Sequence, residues 1–241
     1  MWHTLLDILY PVRCPICQEI VLPKGNRICI PCRAKLKVIG EPRCKKCGKP
    51  IELEEKEFCD DCERNNYHFL KGYSVWIYDS VMKKSISDYK YNNKKENAKF
   101  YIQELISLYR ETILKLAPDI LVPVPIHKSK YRVRGYNQAD ILACGISKEL
   151  GIPVLSHLLT RNRKTLPQKQ LNNKERLSNL KEAFGYNLVE ERHFKGKIKR
   201  VLLVDDIYTT GSTIEACARV LSKQGIEYIY FITLCIGRGY E

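Results

Sequence analysis

Apolar and polar positions along this chain fall into alternating blocks with two different periods. Val201 to Val204 is a continuous apolar run, the pattern of a parallel strand buried on both faces, and the strand predicted here covers Lys199 to Val204. Two carboxylates, Asp205 and Asp206, follow it. A hydroxyl-rich turn comes next, Thr209-Thr210-Gly211-Ser212-Thr213, and then a helix predicted over 212–224. Further strands are predicted at 72–79, Asp119 to Pro125, Ile152 to Leu159 and Glu227 to Ile236. Helical spacing predicts two helices over 80–116, broken at Asn92-Asn93, and one over 136–150 that Gly151 stops. Trp2, Leu5, Leu6 and Leu9 mark a short N-terminal helix, and residues 161–182, which lack an apolar face, read as a loop. Strands alternating with helices imply an α/β fold, a parallel sheet flanked by helices. Such sheets bind ligands beyond the carboxyl ends of their strands, where Asp205, Asp206 and the Pro123–Arg134 loop fall.

The first part of the chain follows another rule. Cys14, Cys17, Cys29 and Cys32 are repeated in spacing by Cys44, Cys47, Cys59 and Cys62, an internal duplication of one unit. CxxC turns in pairs place thiolates on a tetrahedral ion, so the eight cysteines read as ligands of two structural zinc sites with no open coordination position. A disulfide framework is disfavoured, because the N-terminus lacks the basic region and cleavage site of a signal peptide and three cysteines are left over. The spacing fits sequential pairing of the CxxC turns and equally a crossed one. Cys144, Cys217 and Cys235 lie in apolar contexts and are expected in the core. The expected division is a helix and double zinc ribbon over 1–66 and an α/β domain over 67–241.

Charge adds a ligand class. The net charge is +14, and residues 126–181 hold 12 Lys/Arg against Asp140, Glu149 and Glu175. A basic stretch of this kind suits a polyanion such as a phosphorylated sugar or nucleic acid. No apolar run is long enough to span a bilayer, so the expected location is cytoplasmic, without membrane insertion.

The 201–213 run makes the anion specific. A strand, an acidic pair, a small-residue turn and a helix N-terminus together can hold a ribose phosphate: backbone N–H groups and the helix dipole face the phosphate, and the carboxylates take ribose hydroxyls or a Mg²⁺ shell. A Walker loop is excluded, since Gly211 is not followed by Lys, and so is a GxGxxG dinucleotide loop. The run resembles the phosphoribosyl-diphosphate (PRPP) signature of type I phosphoribosyltransferases.

Taken with the four CxxC pairs, Lys90-Tyr91, Pro123–Pro125 followed by Arg134–Gln138, and Gln168, Leu171, Arg176, Asn179 and Phe184 at matching spacing, the chain as a whole resembles the ComF family. The resemblance implies a type I phosphoribosyltransferase-like sheet behind a double zinc ribbon, PRPP with Mg²⁺ as ligand, and a role with incoming single-stranded DNA in natural transformation. It implies that Asp205 and Asp206 serve the ribose and Mg²⁺, and that Thr209, Thr210, Gly211, Ser212 and Thr213 cradle the 5′-phosphate. Arg134, with Lys128 or Arg132 behind it, would meet the pyrophosphate, and Arg176 and Gln168 would arrive on a closing 163–178 loop. His127, beside the expected pyrophosphate loop after Pro123, is a weaker candidate acid. Purine-salvage enzymes carry an Asp where this chain has Thr209, which argues against a purine acceptor. The chain starts Met1-Trp2 rather than with a nucleophilic Cys, which argues against glutamine-dependent amide transfer. Three readings result: a PRPP- and DNA-binding competence protein, a metabolic phosphoribosyltransferase on an unidentified acceptor, and a non-catalytic adaptor whose ribbons dock a DNA-translocating helicase. For DNA stacking, Tyr67, Tyr89, Tyr91, Tyr131 and Tyr136 are the candidates.

Overall fold

The computed structural model describes residues 11–162 and 183–237. The N-terminal helix expected from Trp2 to Leu9, and Gln168, Leu171, Arg176 and Asn179 of the expected closing loop, lie outside the described residues. Four strands make one parallel sheet: β1 (Lys71–Ile77), β2 (Ile120–Pro123), β5 (Arg200–Tyr208) and β6 (Tyr228–Ile236), in the spatial order β1-β6-β5-β2. A separate antiparallel pair joins β3 (Leu159–Arg161) to β4 (Phe184–Tyr186). The helices are α1 (Ile30–Arg33), α2 (Asp60–Arg64), α3 (Ser80–Tyr91), α4 (Asn97–Leu116), α5 (Lys128–Arg134), α6 (Gln138–Leu150), α7 (Leu188–Arg192) and α8 (Ser212–Ser222).

Side chains alternate across the strands, so the sheet divides the apolar residues into two clusters. Val201 and Leu203 of β5, Ile120 and Val122 of β2 and Phe231 of β6 enter one, with Ile214, Cys217 and Leu221 of α8. Leu202 and Val204, Leu121 and Ile232 enter the other, with Ile86 and Tyr89 of α3, Tyr101 and Leu105 of α4 and Leu142 and Ile146 of α6. Both faces are therefore covered, as the apolar run in β5 requires.

The duplicated cysteine units straddle this sheet. Cys14 and Cys32 belong to the second cluster, whereas Cys44, Cys47, Cys59 and Cys62 belong to the first. The stretch between the units runs along the outer edge of β1: Ile39 N donates to Val75 O at 3.1 Å and Ile77 N to Lys37 O at 2.9 Å. That contact removes an exposed strand edge. The cysteines gather as Cys14/17/29/32 and Cys44/47/59/62, which settles the pairing as sequential. Neighbouring sulfurs lie 3.5–3.6 Å apart (Cys14–Cys29, Cys17–Cys29, Cys47–Cys59). Four thiolates about 2.3 Å from a tetrahedral zinc would stand about 3.8 Å apart, so each group fits that ion.

Three expectations need correction. The strand expected at Ile152–Leu159 is a loop with a single parallel bridge, Leu121 to Val154. Pro153 has no N–H to extend a ladder, and regular pairing starts only at Leu159, in the other sheet. The Pro123–Arg134 loop contains a helix, α5, capped by His127 and closed by Gly135 at φ 75°. Cys144 is exposed rather than in the core, because the buried stripe of α6 runs through Ala139, Leu142, Ala143 and Ile146 and passes it by; Cys217 and Cys235 are buried. No described helix is long and apolar enough to cross a membrane.

Isolated with its metal, the protein is expected to carry two zinc equivalents per chain, and Cys47→Ser one. Elemental analysis against protein concentration measures both, and a single equivalent in the unsubstituted protein would exclude two sites.

Candidate functional site

The carboxyl end of β5 is longer than the apolar run foretells. Its ladder with β6 continues through Asp205 opposite Thr233 to Tyr208 opposite Ile236, so both acids sit within the strand. Strand alternation then gives them different surroundings. Asp206, 7% exposed, receives Lys90 Nζ of α3 at 2.8 Å, an ion pair shielded from water on both sides. Asp205 lies on the side of Arg161 of β3 and Cys217 of α8 and accepts the Asp206 backbone N–H at 2.8 Å. Burial, and after it the neighbouring Asp206 charge, raise Asp205 to about 7, against the pull of Lys90 and Arg161. Burial works against the charge on Lys90, but Asp206 and Asp205 outweigh it and hold the ammonium above its ordinary range.

The turn after β5 forms a small concavity lined by residues 207–214. Gly211 is the N-cap of α8, at φ 77°, and no side chain caps that helix end. Its first N–H groups are left for an external acceptor. A Cβ at position 211 would sit 2.4 Å from the Tyr208 hydroxyl, so glycine is required by both the backbone angle and the space. Thr210 Oγ1 and Ser212 Oγ are hydrogen-bonded at 2.9 Å; Ser212 is buried, Thr213 half-buried and Thr209 exposed.

Arg134 is held in place by the motif around it. It donates to Gln138 Oε1 at 2.7 Å and Tyr91 Oη at 2.9 Å, with its guanidinium 4.8 Å from the Tyr91 ring centre. Gly135 ends α5, the Tyr136 hydroxyl donates to Tyr89 O, and Asn137 caps α6 while donating to Val124 O at 3.0 Å. Tyr89 in turn donates to Gln138 O at 3.0 Å. Lys90-Tyr91 thus fasten the end of α3 to both the acidic pair and the Arg134 elbow.

Lys130, absent from the expected set, belongs here. Burial, then Arg161, Arg134 and Lys90, lower its ammonium, with Asp206 acting the other way. Arg161 is likewise lowered by burial and partly restored by Asp205. Lys90 pairs with Asp206, and the charges of Lys130, Arg134 and Arg161 act on this pair, on Asp205 or on one another. Lys130 and Arg134 are four residues apart on a helix and share one face, and Lys128 and Arg132 share another; of the four only Arg134 is half-buried. Helical period would have found Lys130 had the segment not been read as a loop. Lys90 and Arg161 could not be found that way, since only the tertiary fold brings them to β5. His127 accepts from Ser129 N at 3.2 Å as the cap of α5, a structural task. Tyr67, Tyr89 and Tyr136 are core residues; of the five tyrosines only Tyr91 and Tyr131 are exposed.

Removing one partner of a buried pair strands the other charge. Lys90→Met is expected to cost about 3 kcal/mol, and Lys90→Met with Asp206→Asn to recover most of it. Urea unfolding of both variants and the Asp206→Asn single measures the coupling; additive losses would show that the pair contributes nothing.

The comparisons with known proteins agree with this layout. Residues 5–63 match the family model of the double zinc ribbon domain, and residues 132–241 that of the phosphoribosyl transferase domain. Competence protein F of Haemophilus influenzae is 32% identical over 226 residues, 90% of this chain and 93% of the relative. Competence protein ComFC of Bacillus subtilis is 30% identical, over 85% of this chain and 82% of its own. DNA utilization protein YhgH of Escherichia coli is 30% identical, over 80% and 83%. Among solved structures, the purine phosphoribosyltransferase from Pyrococcus horikoshii covers 59% of this chain and 90% of its own at 17% identity and TM-score 0.34, a likeness too weak to bear on ligand or chemistry. Identity sustained across both the ribbons and the sheet makes this chain a member of the ComF family of competence and DNA-utilization proteins.

Proposed function

We propose that the protein binds PRPP at the carboxyl edge of β5 and β2 and acts on or beside DNA taken up by the cell. One observation carries the first half: an uncapped helix N-terminus, two carboxylates and a cluster of four cations follow one another along a single sheet edge. That order matches a ligand with a phosphate at one end, hydroxyls in the middle and a pyrophosphate at the other. The 209–213 turn takes the 5′-phosphate through backbone N–H groups and the helix dipole. Asp205 and Asp206 take the ribose hydroxyls. Lys130, Arg134 and Arg161 take the pyrophosphate through charge-assisted hydrogen bonds.

An adjacent carboxylate pair offers hard oxygen donors, so the site fits Mg²⁺ brought with PRPP, which would neutralise pyrophosphate charge. The protein's own part in pentosyl transfer is to orient the anomeric carbon and to hold the leaving pyrophosphate against fixed cations. Lys90 holds Asp206 aimed through their 2.8 Å ion pair. Arg176 and Gln168 would add contacts from the 163–178 segment.

The names of the relatives support the second half, competence in two of them and DNA utilization in the third. On this chain α5 supports it: Tyr131 is 53% and Val133 80% exposed among Lys128, Lys130, Arg132 and Arg134. Exposed apolar side chains between cations are what single-stranded nucleic acid uses, bases stacking while phosphates pair with the cations. A cytoplasmic location and a helicase partner on the ribbons are compatible with this reading.

Calorimetric titration of PRPP with Mg²⁺ into the zinc-loaded protein should give saturable binding. Lys130→Met should weaken PRPP by about tenfold while leaving ribose 5-phosphate unchanged, since it removes one charge-assisted contact to the pyrophosphate. Absence of binding by the unsubstituted protein would rule out the phosphoribosyl reading.

For DNA, fluorescence anisotropy with a single-stranded oligonucleotide should show affinity falling steeply with salt. Tyr131→Ala should lower it about tenfold or more at fixed salt. Salt-independent binding would argue against the basic face.

A further inference from the structure

We propose that the second zinc unit, Cys44–Cys62, is the positioning platform of the phosphate-binding turn, while the first unit, of the same spacing, serves only the opposite face of the sheet. This rests on the reading of 209–213 as the phosphate site, and concerns what holds that turn in shape.

The chain leaves Cys62 through α2 and reaches Tyr67, His68 and Phe69 within seven residues. All three grip the turn or its flanks. The Tyr67 hydroxyl donates to Thr210 O at 3.3 Å. A trans peptide sets its N–H opposite its C=O, so fixing the Thr210 carbonyl toward the ribbon turns the Gly211 N–H away from it. His68 N and Nδ1 lie 2.8 and 2.6 Å from the two carboxylate oxygens of Glu215, which is 3% exposed in the first turn of α8. Phe69 stacks on Tyr67 at 5.0 Å and meets the Tyr208 ring edge-on at 6.3 Å. Tyr208 lies flat on Phe231 at 4.7 Å, and its hydroxyl, buried without a hydrogen-bond partner, abuts Gly211.

The ribbon side of this contact is held by hydrogen bonds, close packing and an ion pair. Lys46, inside the Cys44–Cys47 turn, accepts from Gly72 N at 2.7 Å and donates to Tyr67 O at 3.1 Å. Gly48, at φ 77°, passes so near β1 that a Cβ would stand 2.9 Å from Gly72 O. Buried Lys49 ties the two CxxC halves together through Asp61 at 2.6 Å. The four thiols and Tyr208 share one apolar cluster with Ile214.

The first unit makes none of its described hydrogen bonds to the turn. Pro15 O accepts from Ser85 Oγ of α3 at 2.7 Å, and Arg33 pairs with Glu104 of α4 at 2.7 and 3.0 Å. The duplication has thus been put to two uses, one under the site and one behind the helices.

The test reads the turn directly. Hydrogen exchange of the 209–213 amides is measured on ligand-free, zinc-loaded protein, with zinc content and PRPP affinity alongside. Tyr67→Phe should keep both zinc equivalents, speed exchange of the turn about tenfold and weaken PRPP about three- to tenfold, the worth of one ordinary hydrogen bond. Arg33→Ala, which cuts the equivalent anchor of the first unit, should change neither by more than about twofold. Cys59→Ser should lose one zinc and unprotect the turn; should it fail to fold, Tyr67→Phe and His68→Ala decide alone. Equal exchange in Tyr67→Phe and the unsubstituted protein, or equal loosening by Arg33→Ala, overturns the proposal. Because exchange is read without ligand, failure of PRPP to bind would sink the phosphoribosyl reading and leave this result standing on its own.

Discussion

The continuation of the β5–β6 ladder past the apolar run is the constraint on which the site depends. Had β5 ended at Val204, Asp205 and Asp206 would lie on a loop with free rotation. Paired through Tyr208, the backbone is fixed, and neighbouring side chains must leave it in different directions. Each acid therefore acquires its own environment: Asp206 faces a cation from α3, and Asp205 is left beside Arg161 with a carboxyl lifted to about 7. Two chemically identical groups one residue apart thus differ, one tied into an ion pair and the other with its carboxyl raised by burial, through position alone.

That constraint has to be supported from both faces of the sheet, and the supports differ. On one face α3 brings Lys90 and Tyr91, and the elbow between α5 and α6 is pinned to α3 by Tyr89 and Tyr136. The conspicuous RGYNQ string is mostly holding apparatus: Gly135 turns the chain, Tyr136 and Asn137 anchor it, and Gln138 receives Arg134. On the other face the support is a zinc ribbon. A four-thiolate ion gives a short segment a rigidity that its few apolar side chains could not supply, and Tyr67, His68 and Phe69 carry that rigidity to the turn and its helix. Both devices spend buried polar interactions on fixing a few atoms, which accords with a site whose chemistry is positioning and charge rather than covalent work.

Much of this was legible in the residues. Eight cysteines in a repeated spacing specify metal units because thiolate geometry admits few alternatives, and the 201–213 run specifies strand, turn and helix because each part has its own composition: apolar, small and amphipathic. The parallel sheet follows from the alternation of strands and helices. Local rules stop there. They did not show that α5 is a helix, since a seven-residue basic segment carries no apolar stripe, and so did not show that Lys130 and Arg134 share a face. They placed Cys144 inside, because an apolar context says nothing of which way a helix faces.

What only the tertiary structure decided is everything that depends on distant segments meeting. Asp206 finds Lys90 from a helix more than a hundred residues earlier, Thr210 finds Tyr67 from the end of a ribbon, and three of five candidate tyrosines vanish into the core. The duplicated units are alike in spacing, yet the sheet passes between them and gives each a different neighbour. Sequence by itself determined most of the elements and the metal chemistry, because those follow from the composition and period of contiguous residues. Which charges face one another, and which ribbon stands beneath the turn, were settled by the sheet, because contacts across it are set by strand order and by the alternation of its faces.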